Sequence, residues 1–141
     1  MNNKTMSSTL DIDSEKIEAF QAKTRGQLIQ PGDPDYDEAR SIYNAMIDKH
    51  PRFIMKCENI ADVIASVNFT REHDLETSIR GGGHNGPGLA LVDDGFVIDL
   101  SPMKGTRVNP ESKTIRVEPG CTWGDVDHAA HAFGLATVSG I

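Results

Sequence analysis

Between Asp35 and Pro51 the apolar residues Ala39, Ile42, Tyr43, Met46 and Ile47 fall on one helical face, which predicts a helix lying on a neighbouring sheet and stopped by the proline. Ahead of it, Ser14 is placed to cap a short helix carrying Ile17 and Phe20. Gln27 to Gln30 reads as a short extended segment, and Pro31-Gly32-Asp33-Pro34 turns the chain out of it. Residues 1–12 are small and polar without periodicity and read as a disordered tail. Residues 13–50 therefore form an N-terminal helical lead-in.

From Phe53 the pattern changes. Phe53 to Cys57 has the brevity and hydrophobicity of a strand, and Ile60, Val63, Ile64 and Val67 then trace an amphipathic helix capped by Asn59. Thr77 to Arg80 is a second strand. Strand, helix and strand at this spacing predict a βαβ unit with a parallel pair and a right-handed crossover. Gly81-Gly82-Gly83-His84-Asn85-Gly86-Pro87-Gly88 is too rich in glycine to continue any element, so it is a loop. Phe96 to Leu100 and Thr114 to Glu118 read as further strands, with Pro110-Glu111-Ser112-Lys113 turning between them, so the second half is expected to be antiparallel. After Pro119-Gly120, Thr122 caps a helix whose buried stripe is Trp123, Val126, Ala130 and Phe133, with Asp125 at the capping-box position and Gly134 as terminator. Ala136 to Val138 is expected to open another strand. The chain stops in mid-motif at Ser139-Gly140-Ile141, as an N-terminal piece of something longer would.

Composition narrows the partners. Fourteen basic and 21 acidic residues leave a formal charge of −7, which argues against nucleic acid, whose binding runs on Lys and Arg neutralising phosphates. No apolar run approaches the roughly 20 residues that span a bilayer, and the first ten residues lack a signal peptide's apolar centre, so no membrane partner and a cytoplasmic location are expected. Cys57 and Cys121 make neither a disulfide framework nor a zinc pair, and both read as small buried thiols.

The glycine loop carries the candidate chemistry. A strand running into three consecutive glycines, with two more close behind, offers a row of backbone N–H groups that a pyrophosphate can approach with no Cβ in the way. Pro87-Gly88 stands where a dinucleotide fingerprint would open a helix, and no Lys-Ser or Lys-Thr completes a P-loop. Neither of those nucleotide folds matches.

Arg80-Gly81-Gly82-Gly83-His84-Asn85, preceded by a βαβ unit that starts at Phe53-Ile54-Met55-Lys56-Cys57, resembles the flavin-linked oxidases related to berberine bridge enzyme, in the vanillyl-alcohol-oxidase superfamily. Asp99-Leu100-Ser101-Pro102-Met103, then Val117 to Val126 around Pro119-Gly120-Cys121-Thr122-Trp123, then Gly134-Leu135-Ala136-Thr137, are similar to that family's next signatures in order and spacing. The resemblance covers about residues 40–141. It implies an α+β FAD-binding domain of the PCMH type over residues 51–141, with a first α/β subdomain and the opening strands of a second, mainly antiparallel one. It further implies FAD as cofactor, held by Arg80, Gly81, Gly82, Gly83, His84, Asn85, Gly88, Pro119, Gly120, Val138, Ser139, Gly140 and Ile141. In the family the histidine matching His84 is bonded to the flavin's benzenoid methyl carbon. A neutral imidazole is a competent nucleophile, and such a substituent raises the flavin's potential.

Plainer readings stand beside these. His84 can be a polar loop residue pinning backbone, and Arg80 can neutralise a phosphate or equally be solvated or pair with a carboxylate. His128 and His131, three apart on a helix, read as a solvated face rather than metal ligands, and Asp33 to Glu38 as an acidic helix start. One or two flavin bonds remain open from these residues. The family's catalytic base belongs to a later substrate domain, and neither Tyr36 nor Tyr43 matches it, so these residues alone are not expected to turn over a small-molecule substrate. Competing readings are a truncated domain that keeps no flavin and self-associates through exposed strand edges, and a generic nucleotide binder.

Overall fold

Phe53-Ile54-Met55 and Phe96-Val97-Ile98 are buried at every position, and a strand covered on both faces belongs in the middle of a sheet. The computed structural model describes residues 12–139 and places both runs there. In chain order the elements are α1 (Ser14–Gln21), β1 (Gln27–Ile29), α2 (Tyr36–Ala39), β2 (Phe53–Lys56), α3 (Ile60–Glu72), β3 (Thr77–Arg80), β4 (Phe96–Asp99), β5 (Thr106–Asn109), β6 (Thr114–Val117) and α4 (Trp123–His131). One sheet runs β1-β2-β4-β3, and β5 and β6 form a separate hairpin. β4 is parallel to both neighbours, with Phe53 and Thr77 flanking Phe96, while β1 is antiparallel to β2 with Leu28 opposite Met55.

Two strand expectations are corrected by this order. β2 and β3 are parallel but not adjacent, because β4 inserts between them. The Phe96 strand belongs to this parallel sheet and not to an antiparallel second half; its uninterrupted apolar run, which only a two-sided core can bury, is the reason. The antiparallel partner of Thr114–Val117 is β5, and Arg107 there lies opposite Arg116. Its turn is tied by the Asn109 carboxamide, whose Oδ1 accepts the N–H groups of Glu111 and Ser112, both at 3.1 Å.

Side chains alternate between two cores. Phe53, Met55, Phe96 and Ile98 face α1 and α3, where Phe20, Phe53, Phe69 and Phe96 pack with ring centroids 4.5 to 6.2 Å apart. Ile29, Ile54 and Val97 face Tyr36, Ala39, Leu91 and Val92 on the opposite side. The Tyr36 hydroxyl donates to the Pro51 carbonyl at 2.7 Å, which satisfies it in that core.

Both predicted lead-in helices are modified. Asp13 stands at the N-cap position of α1 without a side-chain capping bond, and Ser14 is the first helical residue. The second helix lasts only four residues, and Tyr43 and Met46 are exposed. Local side-chain bonds win over helix beyond Arg40: the Asn44 carboxamide accepts the Met46 N–H at 3.1 Å, and the Tyr43 N–H goes to Gly83 instead of back into a helix. At the other end of the chain Ala136–Val138 forms no strand.

α3 begins as predicted, with the Asn59 Oδ1 accepting the Asp62 N–H at 3.1 Å, but it buries a different face. Of the expected stripe, Val63 packs against the core, but Ile60, Ile64 and Val67 are exposed, whereas Asp62, Ser66, Phe69 and Thr70 are buried. Asp62 sets this rotation. Its carboxylate accepts the backbone N–H groups of Arg25, Gly26 and Glu58 at 2.9 to 3.0 Å, tying β1 to the start of α3. Burial works against its ionisation, yet the N–H groups of Arg25, Glu58 and Gly26 outweigh it and hold the carboxyl below the usual aspartate range. A depressed folded value means stability that is present above about pH 4 and is lost as pH falls through the lower, folded value. Asp62→Asn is therefore expected to cost about 2–3 kcal/mol at pH 7 by urea denaturation, because buried donors lose their acceptor. The gap to wild type should narrow as pH falls below about 4; a gap constant with pH would contradict the assignment.

Candidate functional site

All three parallel strands end on the same side, the edge where open α/β sheets bind ligands. There β3 passes through Arg80 into the glycine loop. Gly83 and Gly88 take φ of +68° and +75°, a region that side chains resist, so these two glycines fix the loop's path. Three of the loop's carbonyls are held from outside it: Gly83 accepts the Tyr43 N–H at 3.2 Å, Gly86 the Asn44 Nδ2 at 2.8 Å, and Gly88 the Lys49 Nζ at 3.2 Å. Its donors are not. Among the described residues, the N–H groups of Gly82, Gly83, His84 and Asn85 have no acceptor. The loop is thus polarised, with the carbonyls of Gly83, Gly86 and Gly88 turned into the protein and a run of unpaired N–H groups left over.

Gly82 and His84 line one wall of a cleft of about 860 Å³. Ile115 and Val117 of β6 supply an apolar wall, and Gly120, Thr122, Trp123 and Gly124 form the third side at the start of α4. The volume suits a large cofactor, and a mostly apolar lining with few polar groups is usual for such sites. A smaller groove of about 280 Å³ continues along Gly81–Asn85 between Ile79 and Leu89.

The α4 N-terminus is built as its sequence predicts. Thr122 and Asp125 close a capping box: Thr122 Oγ1 accepts the Asp125 N–H at 3.4 Å, and Asp125 Oδ2 accepts the Thr122 N–H at 2.7 Å. The Thr122 N–H, its hydroxyl and nearby Lys104 hold the Asp125 carboxyl below its ordinary range. Thr122→Ala is expected to lower stability by about 1 kcal/mol, read as a shift in the urea midpoint. The predicted stripe of this helix is corrected at both ends. Val126 and Ala130 are buried, but Trp123 is 47% and Phe133 51% exposed, because Trp123 faces the cleft.

The structure brings several predicted residues together and separates others. Gly81 approaches Pro119, whose carbonyl oxygen would lie 3.2 Å from a Cβ there, and Gly120 donates its N–H to the Met103 carbonyl at 2.9 Å. Arg80 turns away from the cleft. Its guanidinium donates to the Ala39 carbonyl, and among the described residues its Nε is buried without a partner beside Gly83. Gly88 sits on the far side of the loop against Ile47. At the C-terminal end Thr137 reaches the cleft, whereas Val138 is 94% exposed and does not line it; Ser139 is exposed, and Gly140 and Ile141 lie outside the described residues. Burial pushes the Cys57 thiol up to about 11, as expected of an inert core cysteine. Cys121, half-buried, lines the cleft with its Sγ 3.5 Å from the Gly105 carbonyl. His128 and His131 border a separate groove beside Leu135, and the described residues contain no cluster of three metal-ligating side chains.

Sequence reasoning missed the β6 wall and the residues that hold the loop from outside, Tyr43, Asn44 and Lys49. Two polar residues, Asn44 and Lys49, inside the stretch read as a helix were the available signal.

The profile of the family described as FAD binding domain matches residues 51–139. (R)-6-hydroxynicotine oxidase of Paenarthrobacter nicotinovorans is 34% identical over 117 residues, covering 83% of this chain and 26% of that protein. An uncharacterised FAD-linked oxidoreductase of Bacillus subtilis, YgaK, is 35% identical over 118 residues, covering 84% of this chain and 26% of its own length. The chain thus spans about a quarter of the curated relatives it matches. Among solved structures, 6-hydroxy-D-nicotine oxidase from Arthrobacter nicotinovorans superposes with a TM-score of 0.78 at 34% identity, over 83% of this chain and 26% of that one. BBE-like 1 of Physcomitrella patens superposes with a TM-score of 0.72 at 26% identity, over 80% of this chain and 25% of that one. The polarised glycine loop beside a capped helix start therefore sits in a chain that belongs to the FAD binding domain family of FAD-linked oxidoreductases, of the PCMH, berberine-bridge-enzyme-like type.

Proposed function

We propose that this chain is the cofactor-holding part of an oxidoreductase that removes hydride from a C–H bond of a sugar, alcohol or secondary metabolite, with the flavin attached covalently through His84. When bound, FAD accepts the hydride and passes the electrons to dioxygen or another acceptor. The observation that carries the reading is the placement of the exposed His84 on the cleft wall within the loop whose N–H groups are unpaired. Those N–H groups are the donors for the pyrophosphate, and the absence of a Cβ at exposed Gly82, where only the His84 ring lies within 4 Å, lets it approach. Beside them the His84 imidazole stands along the same bound molecule as a nucleophile. Ile115, Val117 and Trp123 exclude water from the apolar part of the cleft.

Support also comes from the oxidases and FAD-linked oxidoreductases among the relatives. Substrate and catalytic base belong to residues beyond the matched quarter. The test is to express the whole reading frame, precipitate the protein in acid and ask where the flavin fluorescence goes. Flavin in the pellet is the expected result. Flavin in the supernatant would overturn the covalent link alone, and no flavin in either fraction would overturn the assignment in favour of a domain that keeps no cofactor.

A further inference from the structure

The stretch that holds the glycine loop, Tyr43 to Lys49, lies ahead of the residues matched by the family profile and contains no regular secondary structure. Asn44 makes two hydrogen bonds there through its carboxamide. Oδ1 accepts the Met46 N–H at 3.1 Å, which fixes the carboxamide's orientation, and Nδ2 then donates to the Gly86 carbonyl at 2.8 Å. One residue earlier, the Tyr43 N–H takes the Gly83 carbonyl at 3.2 Å, and the Tyr43 ring meets the His84 imidazole edge-on at 5.6 Å. A peptide unit is planar and trans, so a Gly83 carbonyl turned toward Tyr43 aims the His84 N–H the opposite way. The residue after Gly86 is Pro87, which has no N–H; a Gly86 peptide facing an anion would present only its repelling carbonyl. Something must keep that oxygen turned inward.

We infer that Asn44 is a positioning residue for the cofactor's phosphates. By holding the Gly86 carbonyl and docking the Tyr43 turn on the loop, it keeps oxygen atoms away from the anion and leaves the N–H groups of Gly82 to Asn85 to receive it. The inference rests on the reading that this loop holds the pyrophosphate. It concerns affinity for phosphate-bearing ligands, not the chemistry of the flavin ring. Asn44 is half-buried and belongs to neither core, so its role is separable from folding.

Asn44→Asp is the sharpest test, since it preserves shape and the Oδ1 acceptor but replaces the donor with a carboxylate oxygen. The experiment uses the whole protein with His84→Ala, so that binding is reversible, stripped of flavin and titrated with ADP and with FAD. Asn44→Asp and Asn44→Ala should each weaken both ligands together, the aspartate by about tenfold or more, with the thermal midpoint of the stripped protein unchanged. Unchanged ADP affinity in both variants would overturn the inference. So would an affinity loss matched by a fall in thermal midpoint, which would mark a merely structural role. If the parent binds FAD but not ADP, the pyrophosphate reading of the loop falls and the inference with it; the covalent link at His84 is judged separately by the acid precipitation.

Discussion

Replacing Gly120 with alanine is expected to cost about 3 kcal/mol or more, the largest stability loss of any substitution near the cleft. A Cβ at Gly120 would lie 2.4 Å from the Ser101 carbonyl oxygen, 2.6 Å from that of Leu100 and 2.7 Å from that of Met103. These are backbone atoms at the end of β4, so no side-chain rotation relieves the contact. The chain must move, and moving it breaks the bond from the Gly120 N–H to the Met103 carbonyl that joins the sheet to the hairpin and α4. Gly124→Ala is the matched control. It lies four residues on, inside α4, where the added methyl meets only Thr122 Oγ1 at 3.6 Å, and alanine there is expected to be neutral or to stabilise by up to ~1 kcal/mol. Urea denaturation of both variants checks the pair. Equal stabilities would mean that the Gly120 approach is not as close as described. Because the same junction forms one side of the cleft, Gly120→Ala should also lose bound flavin.

The second large effect concerns function. His84→Ala is expected to abolish acid-stable flavin while FAD remains bound reversibly under native conditions. The reasoning separates two parts of the loop. The N–H groups proposed to receive the phosphates belong to the backbone, and alanine keeps its own N–H; the imidazole alone is removed. His84 is exposed, and its contact in the protein is the Tyr43 ring, so the fold has little to lose. Acid precipitation followed by fluorescence of pellet and supernatant reads the partition directly. Flavin that stays with the precipitated variant would place the attachment elsewhere, with Cys121 as the next nucleophile lining the cleft.

How much of this was legible in the sequence differs between elements. β2, β3, α3 and α4 were readable because their starts carry strong local chemistry, Asn59 and Thr122 as caps and apolar β-branched or aromatic runs as strands. The glycine loop was readable because no regular element tolerates such a run. The rotation of α3 was not readable, since periodicity favours Ile60, Ile64 and Val67, and only the tertiary capture of Asp62 by Arg25, Gly26 and Glu58 turns the helix the other way. β4's place between β2 and β3 could have been inferred from its two-sided hydrophobicity. β5 gave almost no signal, with Val108 the lone apolar residue of Thr106–Asn109 and all four positions at least partly exposed. Within the cleft, Gly82, His84 and Gly120 were found by motif. Tyr43 and Asn44 escaped because a helical pattern of apolar residues overrode the turn chemistry of the asparagine.

The most direct measurement is a peptide map of the denatured whole protein after trypsin. Beyond Arg80 the next lysine or arginine is Lys104, so residues 81–104 leave as one peptide whose single histidine is His84. The expected result is that this peptide carries the mass of one FAD and that fragmentation places it on His84. An unmodified 81–104 peptide from protein that binds no flavin in its native state would contradict the assignment of this loop and cleft as the cofactor site.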